Sequence, residues 1–474
     1  MYIILFYILL NSCTNSSYED GLKIDIEGEL MSPIIQEGGI LSNSKINGYR
    51  GIWFELLQKS TYGDKYSGGL GTYTACHKPI AIYSEEVNRT FFVYGGTTQE
   101  NERHLLCMIG CFDHNTDSLQ KPTVVFDKGV VNDPHDNPSL AIDNDGFIWV
   151  FVSGRALERP GFICRSEAPY NIEKFVELKK TEFTYPQPCI FEDNSITLLY
   201  TKYRNIRELY CRRFNTERFY ENEVKLACII APDESTGGHY QVSSTHNDKI
   251  GTFFNRHPNG NPDLRTDLYY MQSSDKGETW TTVTGTKIKL PITNVDSPTR
   301  VFDYKSLGKN VYINDVCFDY QGNPVCLFIT SNGALPGPIN GPYEWKLAHW
   351  SGEKWIFRDL FQSDHNYDMG SLFIHGTNWT IVAPTITGKF PYSTGGEIAI
   401  WSSIDSGKSW VLDKQLTRES PGNHSFVRSV QNGRSPFCYL WADGNPNQFS
   451  ISKLYYGNLD GEIFEMPYKM NSNE

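Results

Sequence analysis

The chain alternates short apolar runs with polar turns, and the pattern is clearest around residues 132–155. A polar segment, residues 132–137, leads into alternating apolar residues over 138–142. The turn Asp143-Asn-Asp-Gly146 and a second apolar run, residues 147–152, come next. Two apolar runs around an Asp-Gly turn are typical of a β-hairpin. The segment therefore predicts a strand pair with a polar entrance.

The same plan recurs along the chain, with the entrances roughly 50 to 75 residues apart, so each unit has room for about four strands. The units open at His77, Asn132, Tyr185, His239, Ile313, Asp364 and His424. This period is typical of propeller blades. The sequence predicts an all-β fold, a single seven-bladed β-propeller of four-stranded blades over residues 49–474.

Two segments, residues 273–280 and 403–410, share the pattern Ser-x-Asp-x-Gly-x-[Ser/Thr]-Trp. This pattern resembles the Asp-box of bacterial neuraminidase (BNR) repeats. In it, Asp and Gly close a tight hairpin, and Trp packs between neighbouring blades. Both copies predict a structural role at the outer edge of a blade and no catalytic role.

Composition narrows the class of protein. Aromatic residues make up 14% of the chain, which also has 40 Gly and 24 Pro, as expected for many short strands joined by tight turns. The formal net charge of −12 excludes a nucleic-acid binder, which would normally show a basic stripe. We expect a monomer.

The first 13 residues form a short apolar run that ends in Asn-Ser-Cys13. This resembles a bacterial lipoprotein signal, which implies export and attachment to a membrane only through lipid on Cys13. A buried N-terminal strand is the alternative. Residues 14–48 are polar and weakly patterned, so they predict a tether. The other ten cysteines form no CxxC pair and are expected to be small buried residues rather than a zinc-thiolate site.

Polar side chains concentrate at the unit entrances and at the loops between each unit's second and third strands. If the first strand of each unit is innermost, both sets lie on one face around the central channel. The entrances contribute His77, His135, Gln187, His239, Gln241, Asp315, His365, Tyr367, His424 and Arg428. The loops add Arg155, Lys202, Tyr203, Arg204, Arg256, His257 and Asn332. Six of the 11 His thus converge, which predicts a functional site.

Several of these segments resemble the seven-bladed propellers of ulvan lyases and rhamnosyl-glucuronate lyases. The similar segments are residues 135–139, 153–155, 198–203 and 209–212, and the resemblance covers about residues 49–468. In those lyases two His, a Tyr and an Arg act on a uronic acid. The resemblance implies these roles for His135, for Tyr200 or Tyr203, and for Arg212.

The chain departs from that pattern at one position. Arg155 stands where the second His is expected, after the Ser153-Gly154 pair. Two interpretations are open. Either His77 or His239 takes the role of the second His, or the protein does not catalyse elimination. Related propellers also include rhamnosyl-glucuronate hydrolases that rely on a single His, so a hydrolase is an alternative.

The chemistry of β-elimination fits the residue types at this face. Elimination from a uronate needs a cation on the carboxylate, a base for the adjacent C–H proton and an acid for the leaving oxygen. Arg155 or Arg212 is predicted to clamp the carboxylate, with His135 as base and Tyr203 as acid. The expected substrate is an acidic poly- or oligosaccharide. Residues predicted to bind it are Gln187, Tyr200, Lys202, Gln241, Arg256, His257, Asp315, His365, His424 and Arg428.

Other classes compete with this hypothesis. A sialidase needs three Arg on the carboxylate and a Tyr/Glu pair, and the Arg-Ile-Pro signature is missing from the sequence. A non-catalytic glycan-binding propeller would account for the aromatic and His-rich rim without a reaction. The sequence assigns no cofactor, and a structural zinc or calcium ion is left open because Asp133, His135 and Asp136 provide suitable ligand types.

Overall fold

The computed structural model describes residues 38–70, 74–97, 103–131, 134–204, 206–217 and 222–470. All of them belong to the unit formed by residues 35–474. Strands and tight turns make up this part of the chain, which confirms the prediction of an all-β fold. Helical structure in the described ranges consists of short 3₁₀ turns at Thr74–Cys76, Pro134–Asp136, Pro258–Gly260, Pro262–Leu264, Lys305–Leu307 and Pro338–Asn340. No described helix is both long and apolar enough to span a bilayer.

The first part of the chain forms one antiparallel sheet and several short additions. The strands are β1 (Ile40–Lys45), β2 (Gly51–Trp53), β3 (Lys59–Ser60), β4 (Gly63–Asp64), β5 (Ala81–Ser84), β6 (Arg89–Gly96), β7 (His104–Asp113), β8 (Ser118–Leu119) and β9 (Thr123–Val130). The order β5-β6-β7-β9 defines the first sheet, and β1 pairs with the outer edge of β9. Residues 40–45, predicted as part of a tether, are therefore a strand. The rest of the predicted tether up to Glu37, together with Cys13, lies outside the described residues.

Five separate four-stranded antiparallel sheets come next, each built from consecutive strands. The second sheet contains β10 (Pro138–Ile142), β11 (Ile148–Val152), β12 (Gly161–Ser166) and β13 (Phe175–Thr181). The third contains β14 (Thr184–Ile190), β15 (Ser195–Tyr203), β16 (Arg207–Asn215) and β17 (Asn222–Ala227). The fourth contains β18 (Gln241–His246), β19 (Lys249–Arg256), β20 (Thr266–Ser273) and β21 (Arg300–Phe302).

The C-terminal half continues the same architecture. The fifth sheet contains β22 (Asn310–Phe318), β23 (Pro324–Ser331), β24 (Tyr343–Trp350) and β25 (Trp355–Ser363). The sixth contains β26 (Ser371–His375), β27 (Asn378–Ile386), β28 (Glu397–Ser403) and β29 (Val411–Gln415). The last strands are β30 (Asn423–Arg434), β31 (Phe437–Gly444), β32 (Ser450–Ser452), β33 (Leu454–Gly457) and β34 (Ile463–Glu465). The order β30-β31-β33-β34 defines the last sheet.

The first and last sheets are joined edge to edge. A parallel bridge links Gln431 of β30 to Ile82 of β5. Strand β2 adds a second connection, because Gly51 lies opposite Gly96 of the first sheet and opposite Ser452 of β32. The sequence instead suggests that residues 51–54 pair with residues 454–456 or 463–464. That prediction names the wrong partner strand, because β2 pairs with β32, the short strand that precedes β33.

The predicted turn chemistry explains the hairpins. In the turn between β10 and β11, one carboxylate oxygen of Asp143 accepts from the Phe147 amide at 2.8 Å, and the other accepts from the Trp149 indole at 2.8 Å. Gly146 has φ of +83°, which a residue with a side chain adopts only at a cost. Asp143 thereby fixes both the turn and the buried Trp149.

The Asp-boxes are built as the sequence predicts. Asp275 accepts from the Thr279 amide at 2.8 Å and from its hydroxyl at 2.6 Å. Trp280 is buried in a cluster with Leu199 and Leu209 of the third sheet. An added Cβ on Gly277 would contact Thr197 of that same sheet. The first Asp-box therefore fixes the fourth sheet against the third.

The apolar core lies between neighbouring sheets. For example, Trp149 and Phe151 of the second sheet pack in one buried cluster with Leu198 and Tyr200 of the third. Most of the described cysteines are buried in these layers as small apolar residues, and they are Cys107, Cys111, Cys164, Cys189, Cys211, Cys326 and Cys438. Several of the predicted site residues are also buried between neighbouring sheets.

Candidate functional site

The entrance to β10 is held by a buried ion-pair network. The carboxylate of Asp136 lies 3.0 Å from the Lys128 ammonium and 2.9 Å from the Arg159 guanidinium. Lys128 also donates to the carbonyls of Ser153 and Pro160, both at 3.3 Å. The 3₁₀ turn that carries His135 is thus fixed to the loop between β11 and β12.

The ion pairs of Asp136 argue against the predicted metal site formed by Asp133, His135 and Asp136. Asp136 is committed to two cations, which compete with any metal for its oxygens. Asp133 lies outside the described residues. Within the described ranges, no three His, Cys, Asp or Glu side chains are placed to hold a metal ion. The described residues around His135 therefore do not fit a zinc or calcium site.

His135 lies between two tyrosine rings. Its ring centroid is 5.2 Å from that of Tyr185 and 5.7 Å from that of Tyr203, and the residue is 5% exposed. Its carbonyl accepts from His77 Nε2 at 3.1 Å, so the buried His77 positions the turn. Burial, followed by the charges of Arg155 and Arg159, holds the pKa of His135 well below its usual value. His135 is therefore neutral at pH 7, the form a general base requires.

Tyr203 faces His135 and two arginines. The guanidinium of Arg155 lies 5.0 Å from the centre of the Tyr203 ring, and that of Arg207 lies 6.0 Å from it. The Tyr203 hydroxyl donates to the Tyr185 hydroxyl at 3.5 Å. Burial is the main cause that raises the pKa of Tyr203, so the phenol keeps its proton and can donate it. We use the name His135 cluster for five residues: His135, Tyr185, Tyr203, Arg155 and Arg207.

Arg207 is a member that the sequence analysis missed. It lies directly opposite Tyr203 across the hairpin between β15 and β16. Its guanidinium donates to His257 Nδ1 at 3.0 Å and to the Gly260 carbonyl. A basic residue at the far end of the hairpin that carries Tyr203 was the signal that could have identified it.

His257, predicted to bind substrate, instead supports Arg207. Because the guanidinium only donates, Nδ1 of His257 accepts, and Nε2 donates to Asn255 Oδ1 at 3.2 Å. Burial and the charge of Arg207 keep the pKa of His257 well below its usual range. His257 is a neutral, fully buried acceptor that orients the arginine.

Three other predicted residues form a separate group around Glu223. The Glu223 carboxylate receives the Tyr200 hydroxyl, the Lys202 ammonium at 2.6 Å and the Arg212 guanidinium at 2.7 Å. We call these four residues the Glu223 cluster. Tyr200 is fully buried between the second and third sheets. This geometry does not support the predicted catalytic role of Tyr200 and Arg212. The Tyr200 hydroxyl and the Arg212 guanidinium both bind the Glu223 carboxylate.

Strand geometry places Arg212 away from the His135 cluster. Arg212 and Arg207 both lie on β16 and are five residues apart, which corresponds to about 16 Å along a strand. The loop residue Arg204 pairs with the buried Glu182 at 2.5 Å. Of the two arginines predicted to clamp a carboxylate, the structure places only Arg155 beside Tyr203.

His239, predicted as an alternative catalytic base, is structural. It is fully buried; its Nε2 accepts from the Ile229 amide at 2.9 Å and its Nδ1 donates to the Asn255 carbonyl at 3.0 Å. Burial lowers the pKa of His239 to about 4. Both ring nitrogens are occupied by the backbone, so neither is available for proton transfer.

His365 and His424, predicted to bind substrate, are also buried structural residues. His424 contacts Ser420 Oγ at 2.9 Å through Nε2 and accepts from the Trp441 indole at 3.0 Å through Nδ1. His365 accepts from the Tyr367 amide at 3.1 Å. Burial lowers the pKa of His424 to about 4 and that of His365 to about 3. Both fix the entrances of β30 and β26 rather than face substrate.

The predicted arginines Arg256 and Arg428 are committed to the protein. Arg256 pairs with Asp267 and with Glu234, each at 2.8 Å, and all three are buried side chains. Arg428 donates to the carbonyls of Asn314 and Gly370, and burial lowers the pKa of Arg428 to about 10. Neither offers a charge to a ligand at the face.

Gln187, Gln241 and Asp315 connect the inner strands to one another. Gln187 donates to the Gln241 carbonyl at 2.9 Å, and Gln241 donates to the Tyr200 carbonyl at 3.2 Å. Asp315 pairs with Lys78 at 2.5 Å and accepts from the Leu372 amide at 3.0 Å. These predicted binding residues are buried links between sheets.

A small chamber adjoins the His135 cluster. It shares Tyr185 with that cluster, and its volume is about 20 Å³. Its lining includes Cys76, Tyr240, Asn255, Arg265, Tyr367 and Met369. A larger cavity of about 770 Å³ lies at the opposite ends of the inner strands, lined by residues such as Lys78, Pro188, Thr245, His246, Phe318 and His375.

Solved structures and curated proteins resemble this chain. A structure of polysaccharide lyase family PL25, an ulvan lyase bound to -[GlcA(1-4)Rha3S]-, superposes with a TM-score of 0.67 at 17% identity, over 81% of this chain and 92% of that one. An ulvan lyase of Alteromonas sp. (strain LOR) is 19% identical over 93% of this chain and 95% of its own length. The ulvan lyase of family PL25 from Pseudoalteromonas sp. (strain PLSV) is 21% identical over 68% and 72%.

These comparisons confirm the predicted resemblance to the propellers of ulvan lyases. The family model described as a BNR repeat-containing family member matches residues 89–363. The matched segment includes the turn that carries His135, the hairpin that carries Tyr203 and the first Asp-box. Because it spans more than half of the chain, the protein belongs to the BNR repeat-containing family.

Proposed function

We propose that this protein is a polysaccharide lyase that cleaves a uronate-containing polysaccharide by β-elimination at the His135 cluster. The observation that carries the proposal is the packing of a neutral His135 against Tyr203, with Arg155 and Arg207 over the same tyrosine ring. The similarity to ulvan lyases supports the substrate class.

His135 is assigned as the base. It removes the proton from the carbon next to the uronate carboxylate, a task that needs an unprotonated ring nitrogen. The arginines nearby favour that neutral form, because a protonated imidazole would be repelled. The ion pairs of Asp136 hold the turn and limit the movement of the ring.

Arg155 and Arg207 are assigned to the carboxylate, and Tyr203 to the leaving oxygen. Charge builds up on the carboxylate as the proton leaves, so cations placed there stabilise the transition state most. A phenol that keeps its proton can protonate the leaving oxygen. Arg155 replaces the second histidine that the resemblance implies, which makes this site rich in cations and leaves His135 and Tyr203 as the proton-transfer pair.

The test is turnover on a panel of polysaccharides. We would incubate the protein with ulvan, desulfated ulvan, glucuronan and polygalacturonate, and follow both ultraviolet absorbance of the unsaturated product and reducing ends. A rise in both signals on a uronate polymer is the expected result. Reducing ends without absorbance would indicate a hydrolase, and binding without either signal would indicate a glycan-binding propeller.

Two variants locate the activity. His135→Gln keeps a polar side chain of similar reach and should reduce the rate of both signals by about 10²-fold or more. His375→Gln changes an exposed histidine at the end of β26 and serves as the matched control. Equal loss in both variants, or full activity in His135→Gln, would reject the assignment of the base.

We also propose that the sheets form the seven blades of one closed propeller. The bridge between β5 and β30 and the two pairings of β2 support closure. Deleting residues 38–53 should lower the melting temperature sharply, because it removes β1 and β2 and exposes two edges. An unchanged melting temperature would contradict closure through β2.

Export and lipid attachment through Cys13 complete the proposal. The apolar run before Cys13 supports it. Cys13→Ala should move the protein from the membrane fraction to the soluble fraction after cell lysis. An unchanged partition would rule out the anchor.

A further inference from the structure

A second cavity opens at the end of the channel opposite the His135 cluster, and its volume is about 770 Å³. The last residues of the inner strands β14, β18, β22, β26 and β30 line it, and we call it the distal cavity. A side groove of about 390 Å³ shares Thr245 and Gln431 with it and extends to Tyr83 and Tyr170. Ligand pockets have volumes of roughly 300–1,000 Å³, so the distal cavity is large enough for a small ligand.

The charge in the distal cavity is already paired. Lys78 is the only Lys or Arg among the described residues that line the cavity or the groove. Its ammonium donates to Asp315 at 2.5 Å and to the Val316 carbonyl at 2.9 Å. The described lining of the cavity itself includes no Asp or Glu, and the groove adds acidic groups, the exposed Glu85 and Glu86 among them. An anionic ligand would lose its hydration without gaining a cationic partner, so the lining favours an uncharged ligand.

The lining combines polar side chains with aromatic faces. The hydroxyl of Thr245 and the side-chain amides of Gln431 and Asn432 line the cavity and make no hydrogen bond within the described ranges. Phe318 and Phe373 line the same space and are partly exposed. A saccharide has hydroxyl groups at its edge and C–H groups on its ring faces, so it needs both hydrogen-bonding groups and aromatic faces. The distal cavity offers both.

Two other polar residues of the same lining show how a structural side chain is bonded in this fold. Gln187 donates to the Gln241 carbonyl at 2.9 Å and accepts from the Ser243 amide at 2.7 Å. The Ser243 hydroxyl lies 2.9 Å from that of Thr252. These bonds join the third and fourth sheets and stabilise the hairpin of β18 and β19. The uncommitted side chains of the lining have no such role, so their donors and acceptors are available to a ligand.

We propose that the distal cavity is a second carbohydrate site, which binds a neutral saccharide of one or two sugar units without cleaving it. Thr245, Gln431 and Asn432 would bond its hydroxyl groups, and Phe318 and Phe373 would pack against its C–H faces. Hydrolysis of a glycosidic bond normally needs a pair of carboxylates, which the described lining of the cavity lacks. The inference goes beyond the proposed function, which concerns an acidic polymer at the His135 cluster, and does not depend on it.

Matched neutral and acidic glycosides test the ligand class. We would measure the Kd of methyl glucoside and methyl galactoside, and of the corresponding glucuronide and galacturonide, by ligand-observed NMR. Each acidic glycoside differs from its neutral partner only at C6. Thr245→Trp fills the cavity, and only the binding that it removes is assigned there, because an acidic glycoside can also bind at the His135 cluster.

At least one neutral glycoside should bind in the distal cavity, and its acidic partner should bind there about tenfold more weakly or not at all. The proposal is overturned if neither neutral glycoside binds. It is also overturned if the acidic partner binds in the cavity as tightly as the neutral one.

A pair of glutamine variants covers the case in which Thr245→Trp does not fold. Gln431 is exposed at the cavity, and Gln362 is exposed on the outer strand β25 of the fifth sheet. Gln431→Ala removes one or two neutral hydrogen bonds, so it should weaken binding of the neutral glycoside about 3-fold to 10-fold. Gln362→Ala is the matched control and should change the Kd less than twofold. An unchanged Kd in Gln431→Ala and Thr245→Trp, or an equal loss in Gln362→Ala, would place the saccharide elsewhere and overturn the proposal.

Turnover separates this site from the proposed lyase. The lining of the distal cavity shares no residue with the His135 cluster, so Gln431→Ala should leave the rate on a uronate polymer unchanged. Neutral binding in a protein without turnover would reject the lyase and keep the second site. Turnover without neutral binding would keep the lyase and reject the second site.

Discussion

The His135 cluster and the Glu223 cluster both combine tyrosine with arginine, but they differ in what the arginines contact. In the Glu223 cluster, Lys202 and Arg212 share one carboxylate. In the His135 cluster, Arg155 and Arg207 lie over Tyr203, and Arg207 rests on a neutral histidine and a carbonyl. The first arrangement joins the strands of one sheet, and the second places two arginines around one tyrosine ring of the proposed active site.

The difference also concerns what each cluster supports. Glu223 lies on the outer strand β17 and binds side chains from β15 and β16, so it holds one sheet together. The His135 cluster joins the turn before β10, the loop between β11 and β12 and the hairpin between β15 and β16, so it links two sheets. We therefore expect changes in the first cluster to affect stability and changes in the second to affect activity.

The largest effect is expected for His135. Replacing it with Gln should reduce turnover by about 10²-fold or more, the low end of what a positioned base contributes. Because His135 is buried, Ala would also leave a cavity and lower the melting temperature. Turnover and melting temperature should therefore be compared in His135→Gln and His135→Ala. Equal turnover in His135→Gln and wild type would place the base elsewhere.

A matched pair of arginine variants separates the clusters. Arg207→Gln should lower kcat/KM about 10-fold to 100-fold, since it removes a charged donor from the carboxylate. Arg212→Gln should leave kcat/KM within about threefold, while it lowers stability by about 1–3 kcal/mol by removing a charged hydrogen bond from Glu223. Kinetics and urea unfolding of both variants check this. The reverse pattern would exchange the roles of the two clusters.

The buried histidines should make stability depend on pH. The folded-state pKa of His239 is about 4, below the unfolded value near 6.5. Between these values the unfolded chain binds the extra proton, so stability falls as pH drops from about 6.5 toward 4. His239→Gln should reduce the slope between pH 6.5 and 5 by up to about 1.4 kcal/mol per pH unit. Urea titrations across this range measure it, and an identical slope in both proteins would contradict a neutral His239.

The smallest effect is expected at the first Asp-box. Asp275→Ala should cost about 1 kcal/mol, because the bonds of Asp275 close a partly exposed turn. Turnover should not change, since the box lies at the outer edge of the fourth sheet. Thermal unfolding and the absorbance assay measure both quantities. A loss of activity would link the box to the site.

The fold could be predicted because its signals are local. Asp143 and Gly146 specify a turn, and Ser273, Asp275 and Gly277 specify another, whatever the rest of the chain does. The repeat period then indicates blades. Strand β1 was not predicted, because its residues 40–45 are mostly polar. Its position depends on pairing with β9 rather than on its own pattern.

The site could be predicted only in part. The ion-pair partner and the burial of a side chain depend on segments far away in the sequence. The sequence indicates that polar residues gather at one end of the channel, and His135 and Tyr203 do meet there. It does not indicate that Glu223 captures Arg212, or that Glu234 and Asp267 capture Arg256. Arg207 was missed because its place is decided by His257 and Gly260, in the loop between β19 and β20 of the next sheet.

A crystal structure of His135→Gln with an uncleaved uronate oligosaccharide is the most direct test of where the chemistry occurs. We predict that one uronate carboxylate lies within hydrogen-bond distance of Arg155 or Arg207, with the adjacent carbon beside residue 135. A glycan bound instead in the cavity near Lys78 and Thr245, at the opposite end of the channel, would contradict the account.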